Sequence, residues 1–153
     1  DALLMSGAGE GDINEPIREA YSARVRWLEK YADYELAPHS TFGVFFPRIV
    51  ARSVGETADE TQVQHTLQNR LPPLFDYLEK ELGEQPWFLG KQFSLADIAV
   101  GCQLINLAHA GELIDEYRWP GLSSLLSRLT ARSSVSSLLP EEHALVAKLT
   151  GRL

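Results

Sequence analysis

Apolar residues recur along this chain at spacings of three and four, the period of one helix face. Nowhere do they alternate with period two, as a half-buried strand requires. Ile17, Tyr21, Val25, Leu28, Ala32 and Leu36 form a first helical stripe. Asn14 is suited to cap it, and Pro16 in the first turn costs no hydrogen bond. The same helix carries a second apolar line, Trp27, Tyr31 and Tyr34. A helix with one partner needs one stripe. The second line therefore predicts either a wide core face or a surface that meets a ligand, another domain or another subunit. Pro38 predicts a break or kink. Phe42, Phe45, Phe46, Ile49 and Val50 follow as an aromatic-rich helical segment, kinked near Pro47 and ended by Gly55.

Thr57-Ala58-Asp59-Glu60 has the form of a capping box. The stripe behind it, Leu67, Leu71, Leu74, Phe75, Leu78 and Leu82, keeps its phase across Pro72 and Pro73. An intervening loop would scramble that register, so the pattern predicts one long kinked helix, with Gly83 as its C-cap. Ser94 to Asp97 is a second capping box, with Asp97 at the third helical position, where its carboxylate reaches back to the Ser94 N–H. Phe93 and Ile98 are spaced as a hydrophobic staple around it. From Leu95 to Ala110 the polar side chains are only Asp97, Gln103, Asn106 and His109, which predicts a central helix buried on all sides, with Gly111 as C-cap. Gly101 inside it costs about 1 kcal/mol against Ala, which close approach of a neighbouring helix would explain. Trp119-Pro120 opens a further helix, Ser133 to Leu139 a short turn or helix, and Pro140-Glu141-Glu142 a terminal helix with acidic residues at its positive end. The expected fold is all-α, a bundle of about six or seven helices around one buried helix.

The 153 residues suit one domain, and 44% hydrophobic residues are enough for a core. Residues 1–13 are small and Gly-rich and read as a linker or loose N-terminus, with the helical domain spanning 14–153. The first residue is Asp1, so the chain reads as a fragment or trimmed form of a longer protein. A net charge of −7 argues against a nucleic-acid surface and against docking on an anionic membrane. No apolar run approaches the roughly 20 residues of a membrane helix. The single Cys102 excludes an internal disulfide and fits a reducing cytoplasm. None of the four histidines stands at ligand spacing with another or with Cys102, so no metal site is expected.

Phe88-Leu89-Gly90, followed by Phe93-Ser94-Leu95-Ala96-Asp97-Ile98-Ala99, resembles the signature of the C-terminal helical domain of glutathione transferases, where the Ser-x-x-Asp box and its staple begin the core helix. Arg24 to Asp33 with Leu36-Ala37-Pro38 resembles the first long helix of that domain in bacterial members. Arg118-Trp119-Pro120-Gly121-Leu122 with Arg128-Leu129 resembles a later helix, with Trp119 where Tyr is usual and Ser133 where Pro is usual. The resemblance covers about residues 14–140.

The resemblance implies a two-domain, cytoplasmic, homodimeric detoxification enzyme. A thioredoxin-like N-terminal domain would bind the co-substrate glutathione and activate its thiolate. The helical domain would bind no cofactor itself and would shape the pocket for a small hydrophobic electrophile. This chain holds no recognisable thioredoxin-like segment and no catalytic residue. A thiol of pKa ~8.5 is mostly protonated at neutral pH, and conjugation needs thiolate. The chain alone is therefore expected to be inactive.

By the same resemblance Tyr34, His39, Phe42 and Phe45 face the cleft between domains and bind the electrophile, an aromatic wall suited to planar apolar molecules; ordinary packing is the plainer reading. Ala37-Pro38-His39 departs from the His and Lys that contact glutathione at this place in one bacterial class. Arg24, Trp27 and Tyr31 are candidates for contact with the other domain or a second subunit, or simply surface residues. Asp97 reads as structural, and Cys102 as a small core residue. His65, His109 and His143 read as satisfied or solvated. The competing class is a non-catalytic interaction module of the same fold.

Overall fold

The computed structural model describes residues 15–151. The Asn14 cap and the 1–13 segment lie outside the described residues. Helix begins at Glu15 and continues to Ser53. α1 (Glu15–Tyr31) passes through a π-helical stretch, Ala32–Leu36, into α2 (Ala37–Ser40). A second wide stretch, Thr41–Val50, leads into α3 (Ala51–Ser53).

The break or kink expected at Pro38 is not a break, and the helix runs on through Pro38 and Pro47 with a widened stretch at each. Proline lacks an N–H, and its ring collides with the carbonyl four residues back in an α-helix. A five-residue spacing moves that carbonyl aside. Ala37 N–H donates to Ala32 O just before Pro38, and Ala51 N–H to Phe46 O just after Pro47. Pro72 and Pro73 are handled alike. α4 (Glu60–His65) widens over Thr66–Arg70, where Leu71 N–H donates to Thr66 O, and continues as α5 (Leu71–Leu82). The stripe read across both prolines is real: Leu71, Phe75, Leu78 and Leu82 are buried, and Leu67 and Leu74 pack against them. Its cap is Asp59, not Thr57. Asp59 is the last extended residue before the helix, and its carboxylate accepts from Thr61 N–H at 3.0 Å and Gln62 N–H at 3.3 Å.

Residues 86–94 form a tight turn, with backbone bridges between Trp87 and Gly90 and between Leu89 and Gln92. α6 (Leu95–His109) then runs through the middle of the bundle, its Ala96, Asp97, Val100, Gly101, Leu104 and Leu107 buried. It packs on α1, on Thr41–Val50 and on α7 (Pro120–Ala131). The close approach inferred for Gly101 is present, since a Cβ there would run into Leu129 Cδ2. α7 has no cap from its own flank; the Glu79 carboxylate of α5 accepts from Gly121 N–H at 2.7 Å and Leu122 N–H at 2.9 Å instead. A carboxylate there suits the positive end of a helix.

α8 (Ser133–Ser136) leads to α9 (Leu139–Thr150), which rests on α3 and Thr41–Val50 and has no fully buried side chain. Consequently α6 is not enclosed on all sides as expected. Its Ile98, Cys102, Ile105 and His109 border a cleft against α9. Among the described residues no helix is long and apolar enough to cross a membrane.

Candidate functional site

The start of α6 is fixed by a single carboxylate. Asp97 Oδ2 accepts from Ser94 N–H at 2.8 Å and from the Ser94 hydroxyl at 3.0 Å, while Oδ1 accepts from Phe88 N–H at 2.8 Å. The Ser94 side chain in turn caps the Asp97 N–H, so the box predicted from spacing is complete. Both side chains are fully buried. Burial pushes the Asp97 carboxyl up, and the Phe88 and Ser94 donors pull it the other way. The role is structural, because every oxygen is spent on the turn that precedes the helix. Phe93 and Ile98 border the same cleft. Phe93 stacks edge-on to Trp87 at 4.9 Å and lies 3.7 Å beneath the Arg132 guanidinium.

Arg24 is committed within the chain. Its Nε donates to Phe88 O, Nη1 to Glu81 Oε2 at 2.8 Å and Nη2 to Glu81 O at 2.7 Å. Tyr31 packs on Tyr77 at 4.6 Å, and burial, with Tyr77 and Glu35 adding to it, pushes its phenol up to about 12. Trp27 Nε1 donates to Tyr77 Oη at 2.8 Å, yet its side chain remains 58% exposed. The second apolar line of α1 is therefore mostly surface, not a wide core face.

The four residues assigned to the aromatic wall do not lie together. Tyr34 is 69% exposed, with the Lys30 ammonium 5.5 Å from its ring. Phe42 is 63% exposed and pairs with Phe46 at 6.0 Å. His39 is half-buried. Phe45 alone of the four turns into the cleft between α6 and α9, a space of about 470 Å³. There its ring stands 6.5 Å from that of His109.

The cleft is apolar along Ile98, Ile105, Leu138 and Leu145, and one polar link spans it: His109 Nε2 lies 3.0 Å from Glu142 Oε2. The His109 ring also meets His143 edge-on at 5.3 Å. A second hollow of about 570 Å³ opens beyond the link, sharing Ile105, His109 and Val146. Cys102, expected in the core, is exposed on the cleft side. Desolvation, and then the Glu142 charge, push its thiol up, which makes it a poor nucleophile. The sequence reading of His109 as satisfied holds, but it did not bring Cys102, His109 and Glu142 together, although a faint signal for the cleft is there. Ile98, Cys102, Ile105 and His109 share one face of α6. Their partners on α9 lie some 33 residues away, as for His109 and Glu142, and no local pattern announces them. Among the described residues no group of three or more His, Cys, Asp or Glu could hold a metal ion.

The family model described as "Glutathione S-transferase, C-terminal domain" matches residues 17–131. This chain belongs to that family. No curated protein matches it. Within this glutathione S-transferase C-terminal domain, the match takes in α1 through α7, including the Asp97 cap and Phe45, and ends before α8 and α9.

Proposed function

We propose that this domain forms the electrophile-binding half of a glutathione transferase-like enzyme. The complete protein conjugates or reduces small hydrophobic electrophiles with glutathione, as a cytoplasmic homodimer in which a thioredoxin-like domain supplies the thiolate. The observation that carries this reading is the apolar cleft of about 470 Å³ with Phe45 on its wall. It has the size and character of a small-molecule site, and a planar apolar guest would gain by leaving water there. Tyr34, His39 and Phe42, on the same continuous helix as Phe45 but outside the cleft, would then face the other domain. The domain contributes shape and desolvation rather than chemistry. The thiol of Cys102, the one cysteine of the chain, is pushed up by desolvation and by the Glu142 charge.

The test uses the product of the complete reading frame containing this chain, assayed with glutathione and 1-chloro-2,4-dinitrobenzene. Turnover is expected, with the Phe45→Ala variant raising KM for the aromatic electrophile and leaving KM for glutathione unchanged. The present chain alone should show no rate above the uncatalysed one. Turnover by the chain alone, or a complete protein with no activity toward any electrophile and no glutathione binding, would overturn the reading. The latter result would favour an assembly module of the same fold.

A further inference from the structure

Gln103 and Asn106 are polar residues in the apolar middle of α6, and neither lies at a helix end where it could cap. Both are consumed by one hydrogen-bonded chain. Asn106 Nδ2 donates to Thr41 Oγ1 at 2.8 Å, and the Thr41 hydroxyl donates to Gln103 Oε1 at 2.7 Å. The Ser40 hydroxyl reaches the same Oε1 at 2.8 Å and Leu36 O at 2.9 Å. Ser40 is fully buried, and among the described residues no buried side-chain nitrogen or oxygen lacks a partner. A polar network at a helix–helix contact stabilises little over well-packed apolar residues, but it specifies one arrangement.

The arrangement it specifies lies at a junction. Thr41 N–H still bonds four residues back, to Ala37 O, whereas the wide stretch that starts at Thr41 ends with Ala51 N–H bonded five back, to Phe46 O. Pro47 accounts for widening near itself. It does not account for a wide stretch of ten residues, Thr41–Val50, and π-helix is ordinarily confined to single turns. Ser40 and Thr41 clamp the entry of this stretch to α6. Arg48 clamps its exit, donating to Ala110 O at 3.0 Å and to Glu112 at 2.6 Å. With its entry tied to α6 and its exit to the C-cap and the turn that follow α6, the chain between them has a fixed span and a fixed register.

That register decides where the rings go. Closing one turn from five-residue to four-residue spacing rotates the side chains beyond it by about 100° around the axis. A rotation of that size would carry Phe45 out of the cleft. We propose that Gln103 and Asn106 are positioning residues: through Ser40 and Thr41 they hold Thr41–Val50 in its wide register and so keep Phe45, rather than Phe42 or Phe46, on the cleft wall. Its bearing on catalysis rests on the reading of the cleft as the electrophile site; its structural half does not.

The paired variant Thr41→Val with Gln103→Met removes one donor and one acceptor together; Ser40 keeps Leu36 O, and the half-buried Asn106 amide loses its Thr41 acceptor, so the fold is expected to survive at a modest cost. Gln103→Glu keeps an oxygen acceptor facing both hydroxyls. In the 153-residue chain the readout is the nuclear Overhauser contact between the Phe45 and His109 rings, beside helicity by circular dichroism. The paired variant should keep its helicity and lose the contact; Gln103→Glu should keep both. In the complete protein the paired variant should raise KM for the aromatic electrophile about tenfold with little change in kcat. A Phe45–His109 contact unchanged in the paired variant overturns the proposal. Loss of the contact with KM unchanged upholds the positioning role and sinks the electrophile reading of the cleft.

Discussion

Replacing Asp97 with alanine removes the acceptor for two buried backbone N–H groups, those of Phe88 and Ser94, and for the Ser94 hydroxyl. Water cannot reach them, because Ser94 and Asp97 are fully buried and Phe88 nearly so. An orphaned buried donor costs about 1–3 kcal/mol, so two cost about 4 kcal/mol at the middle of that range. The Ser94 hydroxyl can still cap Asp97 N–H, which limits the further loss at the helix start. Relief of the desolvated carboxylate works in the opposite direction, since burial is what pushes that group up. The expected net loss is about 2–3 kcal/mol. For a domain of this size that lowers Tm by roughly 5–10 °C. Urea unfolding followed by far-ultraviolet circular dichroism would show a lower midpoint at an unchanged slope. Ser94→Ala, which loses one cap bond and orphans no carboxylate oxygen entirely, should cost about 1 kcal/mol. A loss below about 0.5 kcal/mol for Asp97→Ala would refute the reasoning, because ~4 kcal/mol of orphaned donors could not then be real.

Gly101→Ala gains about 1 kcal/mol of helix propensity but drives a methyl into Leu129; overpacking costs about 1–3 kcal/mol, so a net loss is expected. Pairing it with Leu129→Ala should reduce the penalty of the second change below its cost alone, as a double-mutant cycle in urea would measure. The Tyr31 phenol, raised from 10.0 to about 12, favours the neutral form in the folded state. Its contribution to stability is therefore fully present below pH 10 and lost as pH rises toward 12. Absorbance titration at alkaline pH should show one late-ionising tyrosine that Tyr31→Phe removes.

Helix content and the core were legible because they follow from local spacing. The Leu71–Leu82 stripe and the Ser94–Asp97 box need only neighbours within four residues. Prolines misled the reading of residues 37–50, since the usual rule treats a proline as a break, whereas here the backbone changes its hydrogen-bond spacing. Thr57 was a plausible cap in sequence, but Asp59 stands next to the helix start. Cys102 was misplaced for a different reason. An almost wholly apolar helix gives no sign of which side its neighbours leave open, and that side is set by how far α9 stands off. The aromatic wall was assigned by resemblance; only Phe45 of its four residues reaches the cleft, because the wide register divides Phe42 and Phe45 between two faces.

Each widened stretch is, in effect, room for an extra residue taken up inside a helix without disturbing what comes after. The bundle can therefore change in length at Ala32–Leu36, Thr41–Val50 and Thr66–Arg70 by single residues, gaining or losing spare backbone there while the buried leucines downstream keep their seats. Family members that differ by one-residue insertions or deletions should place them at these sites before any loop is lengthened.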